Sequence, residues 1–347
     1  MGQWGIAAVM GGNSDLLAAE AGLNYVVPGS AGYKRVRRGR GFSYQDTSGG
    51  TVNGSIREYI ASLVIPPAWE EVWISKDRLG HILATGVDRA GRKQYIYHPR
   101  WEEVRDEVKF DRLGPFGARL ASLRCRMDAD LRRKGFDRAK VVALAVSVLD
   151  RTLVRVGNRR YATENDSYGL TTLTHEHVET EGAQVHLGFT GKGGAERQLA
   201  FRDTRLARLV GECQELAGQT LFSYELESGG TASIQSTDVN RYVEQATGMP
   251  FTAKDFRTWG ASAVVTRELA RTDPGSGSPD DQVLDAIDVA AEALGNTRAV
   301  ARNSYVHPAI IEAHTGGELA ELWRRSRTGK WIGRSESALR KILGDTS

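Results

Sequence analysis

The 347-residue sequence has only two cysteines, Cys125 and Cys213. Two thiols form neither a disulfide framework nor a cysteine zinc site, so reduced structural thiols in a cytosolic protein are expected. Long apolar runs are also missing. The longest, Val141 to Leu149, falls well short of the roughly 18 residues that a membrane span needs. No basic stretch followed by an apolar core marks a secretory signal, and Ile6 stands where a myristoylation signal takes Ser or Thr. No repeat runs at solenoid or propeller periods. Excess charge of one sign is nearly absent: 46 Lys and Arg against 43 Asp and Glu leave +3. That balance alone argues weakly for a polyanionic partner.

The distribution of charge says more. Residues 1–95 hold 11 basic and 8 acidic groups, whereas residues 96–347 hold 35 of each. Five of the early cations crowd into a basic arm at Lys34-Arg35-Val36-Arg37-Arg38-Gly39-Arg40. At about 100–200 residues per domain, the length suggests two domains, each with its own core.

The first hundred residues read as strands and turns. Trp69–Ile74 follows Pro66-Pro67, and His81–Val87 and Arg92–His98 flank the turn Asp88-Arg89-Ala90-Gly91. Strand alternation puts Tyr95 and Tyr97 on one face. After Pro99 the pattern turns helical. Asp137 caps a helix that is apolar over most of its circumference, which predicts a central core helix ending near Gly157 with Arg155 in its last turn. A small β segment is expected next: Leu173–Val178, Gln184–Thr190 and Glu196–Phe201, with Lys192 at the glycine-flanked hairpin Gly191–Gly194. Pro274–Pro279 reads as a flexible loop. Asp280 and Asp281 open a helix striped by Val283, Leu284, Ile287, Ala291 and Leu294 that Gly295 ends, and a short helix spans Arg298–Tyr305. The fold class expected is α+β: a β-rich domain over 1–100, and a larger, mostly helical domain with a small antiparallel sheet over 101–347. Residues near 99–105 connect the two.

Several chemistries are excluded by missing motifs. Gly191-Lys192 lacks the upstream glycine and the Ser or Thr of a phosphate loop, and no GxGxxG links a strand to a helix. Nothing therefore points to ATP or a dinucleotide. His175 and His177 share one strand face on this reading, but no third ligand lies at metal-site spacing. No GxSxG or papain-like cysteine context occurs.

Basic residues ahead of a late tyrosine remain: Arg155-Val156-Gly157-Asn158-Arg159-Arg160-Tyr161, then Gly191-Lys192, Lys254-Asp255-Phe256-Arg257-Thr258-Trp259-Gly260, Asn296, and Ser304-Tyr305. In order and spacing these resemble the type IB DNA topoisomerases, particularly the compact poxvirus-like class of bacteria. Gly41-Phe42-Ser43-Tyr44, Ile65-Pro66-Pro67-Ala68-Trp69 and Gly91-Arg92-Lys93-Gln94-Tyr95-Ile96-Tyr97 also look like that family, so the likeness covers nearly the whole chain.

The resemblance implies an isomerase that relaxes supercoiled duplex DNA without ATP, metal or any cofactor. Tyr305 would attack a phosphodiester, forming a 3′-phosphotyrosyl link, and the freed 5′-hydroxyl would later attack back. Arg155 and Arg257 would bind the charge of the pentacoordinate phosphorus, because a guanidinium fork holds two phosphate oxygens. Lys192 would protonate the leaving oxygen, a role that burial beside other cations suits. Asn296 stands where viral and nuclear members have histidine. An amide donates a hydrogen bond but moves no proton at neutral pH, so this position stabilises charge. Arg160, Tyr161 and Lys254, together with Tyr95, Tyr97, Arg37 and Arg38 of a DNA-clamping first domain, would contact DNA. A monomer clamping the duplex in the cytoplasm, at the nucleoid, is implied. A tyrosine site-specific recombinase shares this catalytic set but usually carries His-x-x-Arg where Lys254 stands. A non-catalytic DNA-binding protein on the same scaffold is the other alternative.

Overall fold

Residues 14–273 and 277–344 are described by the structure, a computed structural model, without the side chains at 106, 107, 160 and 161. The chain divides into two compact units, Met1–Asp111 and Arg112–Ser347.

In the first unit an antiparallel sheet forms, and its central strands are buried at successive positions, from Val72 to Ser75 and from Ile82 to Gly86. β1 (Gly32–Arg38), β2 (Gly41–Gln45), β3 (Glu70–Ser75), β4 (Ile82–Val87) and β5 (Lys93–Tyr97) lie in the order β2-β1-β3-β4-β5. Val72 and Ile74 of β3 and Ala84 of β4 pack with Val52 and Ile60. At the β4–β5 turn the Asp88 carboxylate accepts from the backbone N–H groups of Ala90 and Arg92, and Gly91 takes φ 70°. This is the side-chain turn that an Asp-x-x-Gly sequence favours.

Strands and turns do not account for the whole segment. Helices α1 (Ser14–Glu20) and α2 (Ser55–Ser62) also occur there. α2 places Ile56, Tyr59 and Ile60 at helical spacing against the sheet core. The basic run 34–40 is β1 and its turn at Gly39, so the arm is a strand of the sheet. α3 (Pro99–Asp111) completes the unit.

The second unit is mostly helical. Its helices are α4 (Leu113–Asp130), α5 (Arg138–Thr152), α6 (Arg159–Asn165), α7 (Thr204–Gln214), α8 (Ser236–Thr247), α9 (Ala253–Arg271), α10 (Pro279–Leu294), α11 (Arg298–Tyr305), α12 (Pro308–Thr315), α13 (Leu319–Arg324) and α14 (Arg334–Ile342). Between α6 and α7 lies an antiparallel sheet, β6 (Val178–Glu181), β7 (Gln184–Thr190) and β8 (Glu196–Arg202), in that order. A short ribbon, β9 (Ser223–Glu225) with β10 (Thr231–Ser233), precedes α8.

α5 is the expected central helix. Asp137 caps it by accepting from Lys140 N–H, and every residue from Val141 to Leu149 is buried. Each large apolar side chain so buried contributes roughly 1.5–3 kcal/mol. Phe116 of α4 meets Phe251, Phe256 and Trp259 edge to face at 5.2, 5.2 and 6.1 Å. Gly117 permits that approach, since a Cβ there would lie 2.3 Å from the Trp259 ring. Arg124 of α4 donates to Asp150 of α5 and to Glu336 of α14, and Glu336 also accepts from Trp259 Nε1 at 3.0 Å. One ionic knot thus joins four helices.

Two local expectations are corrected. α5 ends at Thr152, not near Gly157, because Leu153 turns left-handed at φ 53°, ψ 23°. Arg155 therefore lies beyond the helix. Leu173–Val178 is not a strand but contains a short 3₁₀ turn at His175–His177, where His177 Nδ1 accepts from Thr174 N–H at 2.9 Å. A side chain satisfying a nearby amide in this way competes with sheet pairing, and β6 begins only at Val178. His175 and His177 consequently do not share a strand face. Within Pro274–Pro279, residues 274–276 lie outside the described residues. No helix among the described residues is long and apolar enough to cross a membrane.

Candidate active site

Three helix ends build the site. The first is the end of α5. Because Leu153 leaves the helix in a left-handed turn, its carbonyl is free to accept from Arg257 Nη1. Its side chain packs where a Cβ on Gly260 would stand, 2.3 Å away. The following segment is pinned by the 3₁₀ turn at Leu170–Thr172: Leu170 N–H donates to Arg155 C=O at 2.8 Å, and Thr171 N–H to Val156 C=O at 2.9 Å. This backbone holds Arg155 beside Asn296, whose side-chain oxygen accepts from Arg155 Nη2.

The second is the C-terminus of α10. A helix leaves its last carbonyls unpaired, and here arginines take them. Leu294 C=O accepts from Arg257 Nη2 at 3.1 Å, Ala293 C=O from Arg197 Nη2 at 2.9 Å, and Glu292 C=O from Arg197 Nη1 at 3.1 Å. Gly295, at φ 60°, donates to Glu292 C=O, while Asn296 N–H reaches back to Ala291 C=O at 2.9 Å. That is a Schellman ending, which needs a residue at ease in the left-handed region. It sets Asn296 immediately past the helix.

The third is α11, which ends on Tyr305. Ser262, wholly buried on α9, donates to Tyr305 C=O at 3.1 Å and accepts from His307 N–H at 3.1 Å. It thereby holds the backbone on both sides of Val306. The Arg257 guanidinium lies 5.2 Å from the Tyr305 ring centroid.

The electrostatics follow from crowding. Arg257 is only 4% exposed. Burial pushes its guanidinium down to about 10, with Arg155 and Arg197 pressing the same way and Tyr305 opposing them. It still carries its charge at neutral pH. Burial pushes the Tyr305 phenol up, but Arg257, Arg155 and Lys254 outweigh burial and hold it below the ordinary tyrosine value. Two buried donors in this cluster, Arg257 Nε and Asn296 Nδ2, have no partner among the described residues. Each unpaired buried donor costs roughly 1–3 kcal/mol, which an arriving acceptor relieves.

Arg155, Arg257, Asn296 and Tyr305 thus come together, with Lys254 exposed in the first turn of α9. Lys192 stands apart. It is exposed at the β7–β8 hairpin tip and makes no hydrogen bond or ion pair among the described residues, so the burial expected of it is not supplied by its protein surroundings. The side chains of Arg160 and Tyr161 lie outside the described ones; their backbone belongs to α6.

In the first unit, the Tyr95 and Tyr97 rings stack at 5.7 Å, with Lys93 over one and Arg105 over the other. Arg37 and Arg38 are exposed, whereas Arg35 is used internally, donating to Pro66 C=O and Trp69 C=O. Arg197 and Ser262 were missed by sequence reasoning. The only signal for Ser262 was a polar residue among the small ones of Gly260–Ala263. For Arg197 there was none.

Comparisons with known proteins bear on the family of the chain. A family model described as the catalytic core of eukaryotic DNA topoisomerase I matches residues 98–321, and one described as the N-terminal domain of bacterial DNA topoisomerase IB matches residues 41–88. DNA topoisomerase 1B of Acanthamoeba polyphaga mimivirus is 31% identical over 266 residues, covering 74% of this chain and 79% of the viral protein. DNA topoisomerase 1B of vaccinia virus (strain Copenhagen) is 20% identical over 251 residues, covering 70% and 75%. Among solved structures, a XerH site-specific recombinase bound to a palindromic difH substrate aligns over 57% of this chain and 51% of its own, with 16% identity and a TM-score of 0.39. The chain belongs to the type IB DNA topoisomerases. It is accordingly a DNA-binding isomerase of that family, with the bacterial kind of N-terminal domain.

Proposed function

We propose that Tyr305 attacks a phosphodiester of supercoiled duplex DNA, and that the protein acts as a monomer at the nucleoid. The phenol oxygen bonds to phosphorus and the P–O5′ bond breaks, leaving a 3′-phosphotyrosyl ester. The proton on the departing O5′ comes from Lys192, and the phenol's own proton passes to water. After rotation of the free end the 5′-hydroxyl attacks the phosphotyrosine, and the same groups run in reverse. Ester is exchanged for ester, so no nucleotide is consumed.

The reading rests above all on one observation. Tyr305 lies against a buried arginine, its ionisation favoured by three cations, beside two buried donors that lack acceptors among the described residues. Phosphate oxygens would supply those acceptors, and donors aimed at developing charge stabilise the transition state. Arg155 and Arg257 would bind the nonbridging oxygens, and the Asn296 amide would donate a third hydrogen bond. Lys192 would find its low-dielectric surroundings only when DNA covers the hairpin tip. Lys254, Arg160 and Tyr161 would hold flanking phosphates. Arg37, Arg38 and the Tyr95–Tyr97 pair would give the first unit a DNA-binding surface.

The test is purified protein with supercoiled plasmid in EDTA and without ATP. Stepwise relaxation that vanishes in Tyr305→Phe is expected. Intact DNA binding without relaxation would overturn the reading in favour of a non-catalytic scaffold, and strand exchange between two specific sites would overturn it in favour of a recombinase.

A further inference from the structure

Arg197 occupies an unusual place. It sits on β8 opposite Phe189 of β7, at the base of the hairpin whose tip carries Lys192. Its side chain runs out of the sheet to the end of α10, where both Nη atoms donate to the carbonyls of Glu292 and Ala293. Two glycines make room for it. A Cβ on Gly191 would lie 3.0 Å from Arg197 Cγ, and a Cβ on Gly295 would lie 2.3 Å from Arg197 Nη1. Gly191 is the residue before Lys192, and Gly295 is the residue before Asn296. One side chain is therefore threaded between the backbone positions that precede two residues of the candidate site.

We propose that Arg197 is a positioning residue: it clasps the Lys192 hairpin to the C-terminus of α10, so that the proton donor and the Asn296 amide keep a fixed spacing across the scissile phosphate. The inference rests on Lys192 acting as the acid. A cation suits the place, because the partial negative charge of a helix C-terminus and its unpaired carbonyls attract one. Two fixed donors grip two successive carbonyls, which a single ammonium does not reproduce. Burial and the charge of Arg155 hold the Arg197 guanidinium below its ordinary value, which places it within reach of the site's field. Both Nη atoms are nevertheless spent on backbone, so Arg197 acts through the hairpin and not on phosphate.

A leaving group that needs no proton separates this role from a merely structural one. Single-turnover cleavage is measured on a DNA strand with the ordinary 5′-oxygen at the scissile bond, and on one with 5′-sulfur in its place. A thiolate departs without general acid, so a variant whose only defect is proton delivery recovers on the sulfur strand. General acids contribute on the order of 10²–10⁴-fold. Lys192→Ala is therefore expected to be slow by that order on oxygen and near the parent rate on sulfur. Arg197→Ala is expected to be slowed at least about 10-fold on oxygen and likewise rescued by sulfur, with Arg197→Lys in between. Gly191→Ala, which crowds the Arg197 stem without removing the guanidinium, should show the same pattern and serves if Arg197→Ala does not fold.

Parent-like cleavage of both strands by Arg197→Ala overturns the proposal. Equal slowing on both also overturns it, by placing Arg197 with the anion-binding groups. If Lys192→Ala itself is not rescued, the assignment of Lys192 as the acid fails and the proposal falls with it, an outcome visible in that variant alone.

Discussion

Asn296 gives its side-chain oxygen to Arg155 and keeps its amide nitrogen buried without a partner among the described residues. The amide thus orients one arginine and holds an N–H in reserve. Removing a preorganised donor of this kind typically slows the chemical step on the order of 10²–10³-fold. Asn296→Ala should slow single-turnover cleavage by that order while DNA affinity changes little. Unaltered cleavage would take Asn296 out of the site.

The ionisation of Tyr305 predicts a pH effect with a definite sign. Lys254 helps to hold the phenol below its ordinary value, so removing that cation raises the phenol and lowers the phenolate fraction at any pH beneath it. Lys254→Ala should shift the rising limb of the cleavage-rate profile to higher pH, with a loss at neutral pH that shrinks as the solution becomes alkaline. Coincident profiles for parent and variant would disprove this contribution.

Arg37 and Arg38 are exposed at the end of β1. If each neutralises one phosphate, the double change Arg37→Ala, Arg38→Ala lowers the slope of log affinity against log salt by about 2, at ~0.9 per contact. Equilibrium binding to duplex DNA across a salt series measures the slope. An unchanged slope assigns the affinity to other cations.

Stability should be most sensitive at Arg124. Asp150 and Glu336, with side chains 11% and 12% exposed, both depend on it. Burial pushes the Glu336 carboxyl up, but the hydrogen bond and charge of Arg124, together with the hydrogen bonds from Gly333 N–H and Trp259, leave it below its ordinary value. Breaking such a knot by removing the shared partner costs about 3–5 kcal/mol. Arg124→Ala should lose that much in denaturant unfolding of the second unit, whereas a loss below ~1 kcal/mol would mean that water replaces the guanidinium.

The expected strands of the first unit, the central helix, the hairpin under Lys192 and the last two helices before Pro308 were legible in the sequence, because period and turn chemistry agreed there. Helix α2 was passed over although Ile56, Tyr59 and Ile60 carry its period. It is eight residues long and follows Gly54, which supplies no side-chain cap. The end of α5 misleads for a different reason: Gly157 does take a positive φ of 86°, yet the helix has already ended at Leu153, which turns left-handed without being glycine. Only the tertiary partners of Leu153, Gly260 and Arg257, make that turn worthwhile. The family spacing marked Arg155, Arg257, Asn296 and Tyr305, which the fold brings together, but spacing carries no information about Ser262 or Arg197. Both act through backbone atoms that are distant in sequence.

The left-handed turn at Leu153 also determines how the site would fail. For a leucine this conformation is uphill by roughly 1–2 kcal/mol, and it is held by one bond to Arg257 and by packing on Gly260. Losing either hold would loosen this turn and with it the carbonyl that seats the Arg257 guanidinium, whereas Arg155, two residues on, keeps its own backbone bond from Leu170 N–H. Damage at this single joint would therefore reach the site through Arg257, from a residue outside the proposed phosphate contacts.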